Sequence, residues 1–335
     1  MSEQRDARAE PESQDHGAGT EPSVARIAVI GTGMIGRSWT IAFARGGCTV
    51  AMHDPAAGAA EKARNEVLAQ LDELATLGLL GEGDADQVAT RICVADTLAD
   101  ALDGVDHVQE NAPETLDLKR ALFAELDALT PPGASIASSS SALLPSVFVP
   151  AGEGAARCLV AHPLNPPHLV PAVELVPGPH TAPAVIDRVA DLMTSIGQQP
   201  IVLTEELEGF VMNRLQGALL DEAMRLIEAG IVSVEGVDRA VKDGLGLRWS
   251  FMGPIETIDL NAPGGVLDFL ERYGPAYAAI AASRGARVAW DAALAGRLDS
   301  ARRASVPRNA LTERREWRDQ RLMALALHKA RADDD

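Results

Sequence analysis

The feature that most constrains this chain is a glycine turn set between a strand and a helix. Ile27-Ala28-Val29-Ile30 is a short apolar run of the kind buried in parallel sheets, and it ends on Gly31-Thr32-Gly33-Met34-Ile35-Gly36. The pattern that follows predicts a helix over 34–45. A second strand is expected over 49–53, ending on Asp54, 23 residues after Gly31. Glycines cluster in many turns, but strand, turn, helix and acid in this order specify a dinucleotide-binding βαβ unit. Gly31 permits the tight turn, Gly33 lets a pyrophosphate approach the backbone, and Gly36 lets the helix pack close to the strand. The backbone N–H groups at the helix start, Met34 and Ile35 among them, meet that anion without any lysine or arginine. Asp54 can accept the ribose hydroxyls and would repel a 2′-phosphate. No arginine follows until Arg64, so the expected cofactor is NAD rather than NADP.

Beyond this unit, strands are expected over 92–94, 105–109, 135–137, 158–161 and 172–176. Helices are expected between them, over 59–77 and 116–129. From about Glu205 the strand signal stops. The segment 210–229 is apolar on more than one side and reads as a buried helix, with further helices over 234–242, 264–273, 277–299 and 312–329. The fold class is therefore α/β, an N-terminal Rossmann doubly wound parallel sheet followed by an all-helical C-terminal domain. The expected division is a disordered acidic tail over 1–23, a cofactor domain over 24–205 and a substrate and dimerisation domain over 206–335.

Charge excludes some partners. The 335 residues carry 30 basic and 48 acidic side chains, a net charge of −18, and the tail with six acids and two arginines holds only −4 of it. So acidic a body repels a polyphosphate chain, so nucleic acid is not an expected partner. No apolar run reaches the roughly 18 residues of a membrane helix, and no apolar stretch near the start reads as a secretory signal. The three cysteines, Cys48, Cys93 and Cys158, form no C-x-x-C pair. Neither a disulfide framework nor a metal site is expected, and a reducing cytoplasm is the simplest compartment.

Polar residues at predicted strand ends supply candidate chemistry. His162 opens His162-Pro163-Leu164-Asn165-Pro166-Pro167, and Glu174 lies twelve residues on, inside the strand-like 172–176. A carboxylate among apolar residues needs a partner, and a histidine one strand away is a natural one. Such a pair would orient the imidazole and raise its basicity, as a general base for an alcohol requires. On spacing alone, a histidine beside prolines is more often a loop residue than a catalyst. Ser138–Ser141 is a hydroxyl-rich turn of which one serine need be functional. Asn213, at the start of a hydrophobic helix, fits a packing contact or a ligand contact equally well.

Taken together, these stretches resemble the 3-hydroxyacyl-CoA dehydrogenase superfamily, and within it the lambda-crystallin / L-gulonate 3-dehydrogenase branch. The resemblance runs from about 25 to 329. It rests on 29–39, His107-Val108-Gln109-Glu110, 161–167, Glu174-Leu175-Val176-Pro177, 209–216, Leu260-Asn261-Ala262, and Arg302-Arg303 through Trp317-Arg318-Asp319. It implies that His162 is the catalytic base and Glu174 its partner. It implies further that Ser141 and Asn213 hold the reacting oxygen, and that Glu110 lies near the nicotinamide. It also implies NAD dependence and a homodimer formed through the helical domain.

The substrate class turns on Leu247-Arg248-Trp249-Ser250-Phe251, which stands where acyl-CoA members have a Gly-Tyr-Pro-like stretch. A thioester has no charge beside the reacting carbons, whereas a free 3-hydroxycarboxylate has one that a guanidinium can grip. Arg248 is accordingly the expected carboxylate clamp, with Arg214 a weaker candidate. Packing of Arg248 on Trp249 is the competing reading. The expected activity is oxidation of a small 3-hydroxy acid, L-gulonate first, L-carnitine second and a short-chain 3-hydroxyacyl-CoA third. Because lambda-crystallins are lens proteins built on this enzyme fold, a crystallin-like structural role is the non-enzyme alternative.

Overall fold

In the computed structural model, residues 24–80, 84–285 and 288–333 are described. The acidic segment 1–23 lies outside them. The strands are β1 (Arg26–Ile30), β2 (Thr49–His53), β3 (Ile92–Val94), β4 (His107–Glu110), β5 (Ser135–Ser138), β6 (Cys158–Pro163), β7 (Ala172–Pro177) and β8 (Gln199–Val202). The helices interleaved with them are α1 (Met34–Arg45), α2 (Ala59–Thr76), α3 (Ala85–Ala89), α4 (Leu98–Leu102), α5 (Leu116–Leu129), α6 (Pro145–Phe148) and α7 (Pro183–Ser195).

One sheet takes the order β3-β2-β1-β4-β5-β6-β7-β8, parallel throughout except where β7 runs against β6. Order reverses between β1 and β4, the position where doubly wound sheets open their ligand crevice. Helices cover both faces. On one side Trp39, Phe43, Val67, Leu71 and Met193 pack on Val29, Val50 and Leu175. On the other, Leu102, Phe123, Leu126 and Phe148 pack on Ala28, Val108 and Ile136. Helix α7 and strand β8 extend the sheet past the strands expected from sequence. Pro200 masks β8, and it is tolerated because β8 is the edge strand.

After Leu203 the chain is helical: α8 (Met212–Glu228), α9 (Val234–Arg239), α10 (Gly246–Trp249), α11 (Pro254–Leu260), α12 (Gly265–Ser283), α13 (Ala292–Ser305) and α14 (Leu311–Asp333). A π turn, Ala240–Leu245, joins α9 to α10. Met323 of α14 returns to the core beside α1 and α7. The expected helix over 277–299 is instead the end of α12 and the start of α13. Gly285, in the left-handed region at φ +64°, lies just past the C-terminal end of the first helix. The Asp291 carboxylate caps the second at Leu294 N, 2.9 Å. Helix α12 runs through Pro275, with the Phe269 ring packed at a tilt against Tyr273 and Tyr277 on either side of it. Helix α8, expected to be buried, buries only Ala223 and exposes Leu215 and Leu219. Large apolar side chains of this region lie exposed, Leu247, Phe251 and Leu267 among them.

Candidate active site

The glycine turn is built as its sequence requires. Gly31 sits at φ +84°, and a Cβ there would come within 2.9 Å of the Asn111 carbonyl group. A Cβ on Gly36 would overlap the Gly31 carbonyl oxygen. A Cβ on Gly33 would meet nothing within 4 Å, so the space above the start of α1 is open. Gly33 caps that helix without a side chain, which leaves its first N–H groups facing the opening. Ile35 turns into the core, and Met34 lies over the turn, its Sδ accepting from Asn165 Nδ2 at 3.2 Å.

Asp54 Oδ2 accepts from Thr32 N at 2.8 Å and Thr32 Oγ1 at 3.0 Å, and Oδ1 from Ala56 N at 3.0 Å. Burial works to raise its pKa, but these bonds outweigh it and hold the carboxyl below the usual aspartate range. A cleft of about 770 Å³ runs from Gly31 and Gly33 past Asp54 to Asn111, Leu118 and Leu122. An open helix start, an anionic acceptor and apolar walls fit a dinucleotide without a 2′-phosphate. Gly36→Ala, which forces backbone against backbone, is expected to cost about 1–3 kcal/mol of stability and abolish NADH binding, checked by melting and fluorescence titration.

Three strands away, β6 and β7 pair His162 directly opposite Glu174. His162 Nδ1 lies 2.7 Å from Glu174 Oε2, and both side chains are buried. A carboxylate can only accept, so Nδ1 carries the proton and donates it. Nε2 then presents a lone pair and has no partner among the described residues. Glu174 Oε1 accepts from Val211 N at 2.6 Å and Met212 N at 2.8 Å, at the start of α8. Burial raises the Glu174 pKa, but the imidazole and the two N–H groups together hold it below the usual glutamate range. The turn that aims those N–H groups places Gly209 at φ +76° and Phe210 at φ +48°. The buried Phe210 ring then packs on the imidazole at 5.4 Å between centroids.

Asn213, one residue into α8, donates from Nδ2 to the Ser141 carbonyl at 2.8 Å. The structure thus joins Ser141, Asn213, His162 and Glu174 through α8. Glu110, beside Asn111 at the end of β4, is wholly buried, with Oε1 held by Ala112 N and Lys119 Nζ, and Oε2 by Lys119 Nζ and Ser138 Oγ. A second glutamate, Glu114, which the sequence left unassigned, reaches Ser140 and Ser141. Its carboxylate accepts from Ser140 Oγ, Ser141 N at 3.2 Å and Leu143 N at 3.3 Å. Arg248 stands on the exposed α10, its guanidinium with no hydrogen bond or ion pair among the described residues. Arg214 is exposed, its guanidinium on the Glu208 carbonyl at 3.4 Å.

A turn shaped for a pyrophosphate and an imidazole free at one nitrogen belong together in an NAD-dependent dehydrogenase. Residues 26–206 match the family profile "3-hydroxyacyl-CoA dehydrogenase, NAD binding domain", and residues 209–306 match the C-terminal domain of the same family. The chain belongs to the 3-hydroxyacyl-CoA dehydrogenase family and is an NAD-dependent oxidoreductase. It is 41% identical to lambda-crystallin of Oryctolagus cuniculus over 314 residues, 92% of this chain and 97% of that one. It is 39% identical to L-carnitine dehydrogenase of Streptomyces griseus over 82% of each chain. Among solved structures, an NAD+-dependent dismutase, 5-formyl-3-hydroxy-2-methylpyridine 4-carboxylic acid 5-dehydrogenase, superposes with TM-score 0.76 at 28% identity. That superposition covers 90% of this chain and 97% of the other.

Proposed function

We propose that this enzyme oxidises the 3-hydroxyl of a small free 3-hydroxycarboxylate, L-gulonate first among them. The observation that carries the reading is the buried His162–Glu174 pair, whose free Nε2 is a base for an alcohol proton. NAD would be held by Gly31, Gly33, Gly36, the N–H groups of Met34 and Ile35, and Asp54, and would supply the acceptor for the hydride leaving the substrate's C3. His162 Nε2 takes the hydroxyl proton, and the Glu174 carboxylate stabilises the imidazolium that results. Ser141 and Asn213 hold the substrate oxygen as it becomes a carbonyl. Glu110, fixed by Lys119 and Ser138, is read as the glutamate near the nicotinamide.

The choice of a free acid rests on the Arg248 stretch and on similarity to the lambda-crystallins. L-carnitine is the second reading, favoured by the similarity to L-carnitine dehydrogenases and by Trp249 and Phe251 exposed beside Arg248. NADH absorbance with L-gulonate, L-carnitine and 3-hydroxybutyryl-CoA separates the readings, and L-gulonate is expected to give the highest kcat/KM. Arg248→Ala is expected to raise KM for the free acid at least about tenfold with KM for NAD unchanged, the weight of a charge-assisted contact. An unchanged KM for the acid removes Arg248 from the site.

The division into a cofactor domain ending near 205 and a helical domain beyond it is part of the same reading, as is a homodimer formed through the helices. Leu247, Phe251, Ile255, Leu260 and Leu267 are each more than 60% exposed. So large an apolar surface calls for a partner. Sedimentation is expected to give twice the chain mass at micromolar concentration, and a monomer there removes the dimer. No described helix is long and apolar enough to cross a membrane. A cytoplasmic setting fits the three free cysteines.

A further inference from the structure

His107 and Gln109 take no part in the chemistry above, yet both side chains are wholly buried in the sheet. His107 Nδ1 lies 2.8 Å from Ser135 Oγ, and Nε2 lies 3.1 Å from Gln109 Oε1. Gln109 Nε2 donates to Ser139 Oγ at 2.7 Å and to the Ala161 carbonyl at 3.3 Å. Trp39 Nε1 of α1 also donates to Ser139 Oγ, at 3.0 Å. Ser139 Oγ donates in turn to Asn111 Oδ1 at 2.7 Å, and Asn111 Nδ2 donates to the Gln109 carbonyl at 2.8 Å and the Ile30 carbonyl at 3.4 Å.

The directions of these bonds follow from the donor inventory alone. The amide nitrogen of Gln109 is spent on Ser139 and Ala161, so its Oε1 must accept, and His107 must carry its proton on Nε2. Nδ1 then accepts from Ser135. A serine hydroxyl offers one donor and two acceptor sites, and all three of Ser139 are taken. Burial pushes His107 down to about 4, which keeps the ring neutral and the direction of the chain unchanged through the physiological range.

We propose that Ser135, His107, Gln109, Ser139 and Asn111 form a one-way positioning relay, with Ser139 as its junction, that holds the loops after β4 and β5 in fixed register above the glycine turn. At one end Asn111 closes over Gly31 and lines the dinucleotide cleft. At the other, two residues past Ser139, Ser141 meets Asn213. Gln109 also ties the carbonyl of Ala161, the residue before His162. A shift at Ser139 therefore moves the cofactor wall and the holder of the substrate oxygen together, and small misplacements of such groups cost rate rather than affinity. The inference rests on the reading of Ser141 and His162 given above.

The test compares Ser139→Ala and Gln109→Leu with the unaltered enzyme. Steady-state kinetics is one readout, and hydrogen exchange of the NAD-free protein is the other. Ser139→Ala is expected to lower kcat about 10- to 100-fold with KM for NAD within about threefold. Segments 109–115 and 137–143 should both exchange faster. Gln109→Leu, cut one link upstream, should show the same paired effect. If Ser139→Ala does not fold, Trp39→Phe, which removes one donor to Ser139 and keeps an aromatic ring in place, is measured instead. An unchanged kcat, or faster exchange confined to 137–143, overturns the relay. If the unaltered enzyme turns over no 3-hydroxy acid, the substrate reading falls, and the exchange comparison alone decides the relay.

Discussion

His162→Gln is expected to lower kcat by about a thousandfold while leaving the affinity for NADH within a few-fold of the unaltered enzyme. The glutamine keeps a donor for Glu174 and roughly the imidazole's volume, but it offers no basic nitrogen where Nε2 stands. The glycine turn is held by β1, β2, α1 and Asn111, none of which touches the imidazole through a hydrogen bond. Stopped-flow turnover paired with NADH fluorescence titration reads both quantities. A variant that retains a tenth or more of kcat removes His162 as the base.

Glu174→Gln is the second large effect, and it acts on rate, pH profile and stability at once. The carboxylate accepts three hydrogen bonds through two oxygens. A glutamine must keep its single oxygen on Val211 and Met212, which turns its NH2 group toward His162 Nδ1. Donor then faces donor unless the imidazole changes tautomer, and the new tautomer places a proton on Nε2 where the lone pair is needed. We expect kcat to fall by about 10²- to 10³-fold, because the anion that stabilised the imidazolium is gone. A group left unpaired in this buried setting costs about 1–3 kcal/mol.

The sign of the pH effect on stability follows from the same geometry. The folded-state pKa of Glu174 lies below the ordinary value of 4.5. Its contribution is therefore complete above 4.5 and is lost as pH falls through the lower, folded value. Acid unfolding of Glu174→Gln should be correspondingly flatter below 4.5, and an acid profile identical to that of the unaltered protein would show that Glu174 titrates normally.

What could be read in the sequence was what is local. The glycine turn, Asp54 and the run of short apolar strands are patterns of neighbours, and the structure repeats them. The pairing of His162 with Glu174 was only suggested by spacing, since a histidine beside prolines reads as a loop residue; the family resemblance carried it. Features set by sheet register or by long-range contact were not legible. Glu110 and Glu114 stand four residues apart with the same chemistry. Only the end of β4 decides that the first turns down onto Lys119 and the second reaches Ser140 and Ser141. Pro200 concealed β8, and the break before α13 depended on Gly285 and a cap from Asp291 rather than on apolar periodicity. The amide of Asn213 finds its acceptor 72 residues away, a contact that no spacing rule anticipates.

The double duty of Glu174 has a consequence for how the molecule fails. One carboxylate is both the orienter of the base and the clasp that fastens the first turn of α8 to the sheet. Warming or mild denaturant that loosens α8 releases the clasp and lets the imidazole turn away from its working position. The dinucleotide turn is knit from β1, β2, β4 and α1, and no hydrogen bond joins it directly to Glu174. Loss of activity is therefore expected to precede loss of nucleotide binding as the enzyme unfolds, which activity and NADH fluorescence followed together through a denaturant titration would read.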